Sequence, residues 1–217
     1  MAQTTLDQRM LGVGTALTDH TITASDVITF ADVGDSNLTK KDTVQGVLDL
    51  ASAQPNMGTK VASTSGTSID FTSIPAGTRQ IVLLIDEVSL SGNAELLVQL
   101  GDSGGVETSG YGSVVFYFEG NSAWSNTPVT NGLTFMNHAS SGGSASDIQM
   151  SGVITAYLVD GGTYNWVMWG HMQDEDSNEG AFSTSSKTLS AELDRIRLTT
   201  TNGTDTFDHG NVNIHYW

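Results

Sequence analysis

Cysteine is absent from all 217 residues, which excludes a disulfide framework, a thiolate nucleophile and a cysteine-ligated zinc site. Basic residues are scarce: 8 Lys and Arg stand against 24 Asp and Glu, a formal net charge of −16. Such a chain repels phosphate backbones instead of displacing their counterions, so no nucleic-acid partner is expected. Long apolar runs are also missing. Nothing approaches the ~18 residues that a membrane span needs, and residues 1–24 show no basic start followed by an apolar stretch of about 7–15 residues. Neither membrane insertion nor a secretory leader is expected. Proline is rare at 3 residues, whereas glycine is plentiful at 24. With abundant Ser and Thr, that balance suits many turns between β-strands, because Gly reaches positive φ without steric cost.

What is present divides along the chain. Residues 1–24 have scattered apolar side chains and no sustained period, and read as an extended arm. Val27, Ile28 and Phe30 then suggest a short strand, "DVGDSN" a turn, and Thr39 the N-cap of a helix with Asp42 in a capping box. Val44, Val47, Leu48 and Ala51 follow at i, i+3, i+4 and i+7, one stripe of a short amphipathic helix. Burying the Val and Leu side chains of that stripe yields roughly 1.5–3 kcal/mol each. Fixing the backbone of about a dozen residues costs roughly 1–2 kcal/mol per residue. The helix is therefore expected to lean on other surfaces: its own β domain, copies of itself, or another protein. Residues 1–52 are read as an arm for attachment and assembly, with Phe30, Val44, Val47, Leu48 and Ala51 as its contact residues. Residues 53–62, rich in small and polar residues with Pro55 and Gly58, read as a linker.

From residue 63 to 217 the pattern changes to period two. "SIDFTSI", "QIVLLIDEVSL" and "AELLVQL" alternate apolar and polar positions. Further strands are expected over Ser113–Phe118, Gly132–Met136, Ile148–Val159, Tyr164–Met172, Leu193–Thr200 and Thr206–Trp217. Asn202-Gly203, between the last two, is a strong hairpin signal. The fold class that follows is mainly β, a jelly-roll-like antiparallel β-sandwich behind an extended N-terminal arm and one short helix.

Candidate chemistry is thin. In "HMQDEDSNEGAF", Asp174, Asp176 and Asn178 alternate as in a calcium loop. Gly180 falls one place late, however, and Ser185 stands where the closing Glu belongs, so a solvated acidic hairpin tip is the better reading. "QLGDSGGVETSGYGS" has neither the Gly-Lys-Ser/Thr of a phosphate loop nor a G-x-S-x-G elbow. As a flexible loop its Asp102, Glu107 and Tyr111 can line a saccharide groove. The five histidines, His20, His138, His171, His209 and His215, lack zinc-protease spacing, and His209 reads as part of a turn. No motif nominates Asp70, Asp86, Glu87 or Asp102 as half of a glycosidase pair. No catalytic residue, metal or cofactor is expected. Aromatic residues are the better clue to recognition: half of those on alternating strands should face the core, while Trp124, in the polar "NSAWSN", is free to stack on a sugar or fill a partner's pocket.

The blocks "STSGTSIDFTSIPAGTRQIVLLIDEVSLSG", "LLVQLGDSGGVETSGY" and "LDRIRLTTTNGTDTFDHGNVNIHYW" resemble segments of tailed-bacteriophage and prophage tail-fibre or virion-surface proteins. "FADVGDSNLTKKDTVQGVLDLA" is similar to the short leader that precedes fibre domains in such proteins. The resemblance implies a virion structural role on the particle surface, synthesis in the host cytoplasm, a homotrimer and contacts with other virion proteins. It transfers no active-site residue. A short trimeric tail fibre that recognises the host surface, with a surface glycan as the candidate receptor, is the leading expectation. A capsid-decorating head fibre is the alternative, and a glycan-degrading tailspike comes third.

Overall fold

The computed structural model describes Ser25 and residues 27–32, 38–44, 55–120, 122–125, 129–135, 148–175 and 179–217. The chain divides into two compact units, Met1–Ala53 and Gln54–Trp217.

In the first unit, β1 (Val27–Asp32) and β2 (Leu38–Thr43) form an antiparallel ladder running from the Val27–Thr43 pair to the Asp32–Leu38 pair. The capping box expected at Thr39 and Asp42 is thereby corrected. Both residues lie inside β2, and an N-cap needs a backbone that is leaving the extended state, not one held in a cross-strand ladder. The segment "LTKKDT" carries β-branched Thr39 and Thr43 and pairs along its whole length, which outweighs the short-range cap signal. Helical geometry first appears at Val44. Val47, Leu48, Ala51 and the arm of residues 1–24 lie outside the described residues.

The second unit is built of β3 (Asn56–Met57), β4 (Val61–Ala62), β5 (Ser68–Phe71), β6 (Gln80–Leu90), β7 (Leu96–Asp102), β8 (Gly105–Val106), β9 (Gly112–Glu119), β10 (Ser122–Ser125), β11 (Leu133–Phe135), β12 (Met150–Asp160), β13 (Asn165–Asp174), β14 (Glu179–Thr188), β15 (Leu193–Thr200) and β16 (Phe207–Tyr216). They form two antiparallel sheets. The large one runs β10-β9-β14-β13-β12-β6-β16-β3, with β4 also on β16, and the small one runs β11-β7-β15-β5, with β8 on β7. The chain crosses between sheets repeatedly, and the order matches a jelly roll. The small sheet holds the first, eighth, third and sixth strands as β5, β15, β7 and β11. The large sheet holds the second, fourth and fifth as β6, β9 and β10, and the meander β12–β14 fills the place of the seventh. The expected jelly-roll-like sandwich is therefore what forms, widened by that meander and by β16 along β6.

Alternation places the core. On β6 it is Ile81, Leu83 and Ile85 that point inward, on β13 Trp166, Met168 and Met172, and on the small sheet Leu96, Val98, Leu100, Ile196 and Leu198. The composition expected to make residues 53–62 a linker instead accompanies two short edge strands: Met57 pairs with His215 and Val61 with Val212. Gly58 is required there, since a Cβ would meet Ile214 at 2.9 Å.

Strand β14 was not apparent from the sequence, because its inward positions after Ala181 are Ser183, Ser185 and Lys187. The reason is steric. Strand β11 passes close beneath, so Ser183 Oγ donates to Thr134 O at 2.6 Å and Ser113 Oγ donates to Gly132 O at 2.5 Å. Apolar bulk would not fit, and small hydroxyls satisfy carbonyls that the short β11 leaves unpaired.

Candidate interaction face

The outer surfaces of the two sheets differ in kind. On the small sheet the outward side chains include Asp70, Arg195 and Arg197. Arg197 grips Asp70 through two hydrogen bonds of 2.6 and 2.8 Å, and Arg195 holds Asp194 at 2.7 Å. Asp70 is thus half of an ion pair. This is an ordinary solvated face, where such pairs add little to stability.

The outer face of the large sheet follows from the register. One row runs Phe116, Phe182, His171, Val153, Leu84 and Asn213 across β9, β14, β13, β12, β6 and β16. The next runs Val114, Thr184, Trp169, Thr155, Val82 and His215. A third runs Gly112, Ser186, Val167, Tyr157 and Gln80, beyond which Gln80 and Trp217 exchange backbone hydrogen bonds. These rows contain no Asp, Glu, Lys or Arg. They do contain large exposed apolar groups: Phe182 is 55% exposed, Phe116 53%, Trp169 49%, and Tyr157 and Val167 each 39%. The Phe182 ring centroid lies 5.9 Å from that of Phe118 and 6.1 Å from that of His171. Gly180 completes the cluster, because a Cβ there would sit 2.3 Å from the Phe118 ring. Phe118 covers the backbone that glycine leaves open.

Where this panel meets the β13–β14 connection, a pocket of ≈ 480 Å³ is walled by Phe118, His171 and Phe182 and rimmed by Asp174, Glu175 and Glu179. Glu175 Oε1 accepts from Ser151 Oγ at 2.5 Å, and that same oxygen of Ser151 accepts from the Glu87 N–H at 2.9 Å. Asp174 is buried at the end of β13; Asp176 and Asn178 lie outside the described residues. No grouping of His, Asp and Glu among the described residues has the geometry of a metal site.

The residues singled out beforehand fall elsewhere. Asp102, Glu107 and Tyr111 do come together, but as an internal brace and not as a saccharide groove. The expected groove is corrected, because Tyr111 is 3% exposed and Asp102 5%. The Tyr111 hydroxyl accepts from the Leu100 N–H at 2.7 Å and has Glu107 O at 3.0 Å and Leu100 O at 3.2 Å as alternative acceptors for its one hydrogen. Asp102 accepts from Ser190 Oγ at 2.6 Å and from the Gly104 N–H at 2.8 Å. These donations, Ser190's foremost, hold its carboxyl below the usual range. Burial pushes Glu107 upward, but the Lys187 ion pair at 2.5 Å and the Ser190 N–H together bring it down. Burial likewise drives the Tyr111 phenol well above its ordinary value. The Lys187 ammonium also lies 5.3 Å from the Tyr111 ring centroid. The loop between β7 and β9 is thus fastened to the end of β14, and its polar groups are already occupied.

Trp124 belongs to β10, opposite Tyr117 of β9. The turn expected at "NSAWSN" is corrected to a short edge strand, which the polar neighbours concealed. His209 lies within β16, its Nδ1 2.9 Å from Glu87 O at a register shift, so the expected turn is corrected to a bulge. His171 and His215 are strand residues of the outer panel. Phe30 lies in β1 opposite Lys40, and Val44, just past the end of β2, is half-buried.

The panel was missed in the sequence because its rows draw on segments as distant as residues 84 and 213. One signal was available: on β9, β12 and β13 the outward positions, Val114 and Phe116, Val153 and Tyr157, and Val167, Trp169 and His171, carry no charge. No family model, curated protein or solved structure matches this chain.

Proposed function

We propose that this chain is a structural virion-surface protein, a short trimeric tail fibre held to the particle through residues 1–52, with the β-sandwich turned outward for host-surface recognition. The sequence blocks that resemble tail-fibre and virion-surface proteins support the virion role. The single observation that favours a binding part over a catalyst is the large sheet's outer face, a broad aromatic panel without one Asp, Glu, Lys or Arg. Contiguous apolar surface of this kind is stabilised when another macromolecule covers it. It offers few groups for general acid–base work beyond its histidines. Two of the four carboxylates considered for glycan cleavage are otherwise engaged: Asp70 pairs with Arg197, and Asp102 braces the Ser190 turn.

Particles carrying a C-terminal label, viewed by electron microscopy, test the reading. Label at the distal end of the tail is the expected result. Label distributed over the head replaces the tail fibre with capsid decoration, and particles without label remove the virion role.

A further inference from the structure

We infer that the charge-free panel of the large sheet is covered by neighbouring copies of this same chain, so that the sandwich itself carries a homo-oligomeric interface. The inference deepens the trimeric reading above but stands apart from where on a particle the protein sits.

Its argument begins with charge. A chain with 24 acidic and 8 basic residues meets its own copies as one polyanion meets another, and like charges brought face to face cost several kcal/mol. Copies therefore meet at least cost through a surface cleared of carboxylates. The rows from Phe116 to Asn213, Val114 to His215 and Gly112 to Gln80 are such a surface. Carboxylates stand at the margin: Glu175 and Glu179 at the rim of the pocket beside the β13–β14 connection, and Asp86, the next outward residue of β6 after Leu84, opposite Asn211. A basic partner would select the opposite arrangement, with acidic groups in the centre of the contact. A saccharide would select hydrogen-bonding carboxylates and amides among the rings; this panel has no carboxylate, its two amides, Gln80 and Asn213, lie on β6 and β16, and its middle is filled by Val114, Val153, Val167, Val82 and Leu84.

Size is the second argument. Six strands at about 4.8 Å spacing make a panel roughly 29 Å wide, and rows two residues apart make it roughly 20 Å long. The flat footprint is on the order of 600 Å² before side-chain relief is counted, close to the ~800 Å² per partner of a standard stable interface. The composition fits as well: aromatic and aliphatic groups fill the middle, and charge is confined to the margin.

The test uses the full chain. Sedimentation or light scattering is expected to show a homo-oligomer. Placing acid in the centre of the panel, Trp169→Glu together with Val167→Glu, is expected to weaken self-association at least about a hundredfold, as for paired interface hot spots. Ser103→Glu, on an exposed turn of the small sheet, is expected to leave it unchanged. Because the chain contains no cysteine, a single thiol reports contacts without disturbing the fold. In the oligomer the thiol of Thr184→Cys, on the panel, is expected to react with a maleimide much more slowly than in the dissociated chain, whereas that of Ser103→Cys is expected to react alike in both. A chain monomeric at tens of micromolar overturns the inference. So does an oligomer that keeps its affinity with both glutamates in place, or a Thr184→Cys thiol that reacts as fast in the oligomer as in the dissociated chain. A panel interface that survives these tests on a protein absent from particles would sink the virion reading alone.

Discussion

Among individual residues, the most informative are the ones that look functional in the sequence and prove to be structural. Asp102, Glu107 and Tyr111 cluster within a Gly-rich stretch, which is what a ligand loop looks like when only one strand of the story is visible. Their partners, Ser190 and Lys187, arrive from about eighty positions away. The brace has a pH signature whose sign is fixed. Both carboxyls are held low in the folded chain, so their contribution is complete above the unfolded value near ~4 and disappears as pH falls through the lowered folded values. Asp102→Asn is accordingly expected to lower stability near neutral pH by on the order of 1 kcal/mol, since the amide keeps part of the hydrogen bonding. The gap from the parent chain should narrow as pH falls below about 4. Urea unfolding of both chains at a series of pH values measures this, and a gap that widens in acid contradicts the assignment.

At the level of strands and turns, period two was legible wherever one side of a strand meets a dry core. β6 and β13 alternate cleanly between buried and outward residues, and hydrophobicity alone marks them. β14 was illegible because its inner side accommodates β11 with serines, and β10 because its pairing is short and polar. Asn202-Gly203 shows how far local chemistry reaches. The turn is present, with Gly203 at φ 68° and Asn202 Oδ1 accepting from the Thr204 and Asp205 N–H groups at 3.0 Å. The strands beside it do not pair, however: β15 lies in the small sheet and β16 in the large one. The dipeptide fixes the reversal of the chain, and the core decides which sheet each arm joins. Nothing lies within 4 Å of a Cβ built on Gly203, so Gly203→Ala isolates the backbone term. It is expected to cost about 1–2 kcal/mol, or roughly 2–8 °C in Tm for a unit of this size, as calorimetry can read. No change in Tm would mean the turn readily adopts another conformation.

For the whole molecule, the panel explains why so acidic a chain can assemble, and it gives assembly a distinctive dependence on salt. Contacts built from ion pairs loosen as ionic strength rises, because screening removes their attraction. A charge-free apolar contact between two polyanions behaves oppositely: the attraction is insensitive to screening, while the repulsion between the charged remainders is not. Raising salt from about 0.01 M to about 0.15 M shortens the screening distance from roughly 30 Å to roughly 8 Å, so that only carboxylates at the margin still oppose one another. Self-association of the native chain is thus expected to tighten several-fold over that range, and dilution series in a sedimentation cell at each salt concentration will show it. Association that weakens with salt instead would point to contacts made through opposite charges, such as the few Lys and Arg of one copy on the carboxylates of another. The panel would then have to be covered by something else.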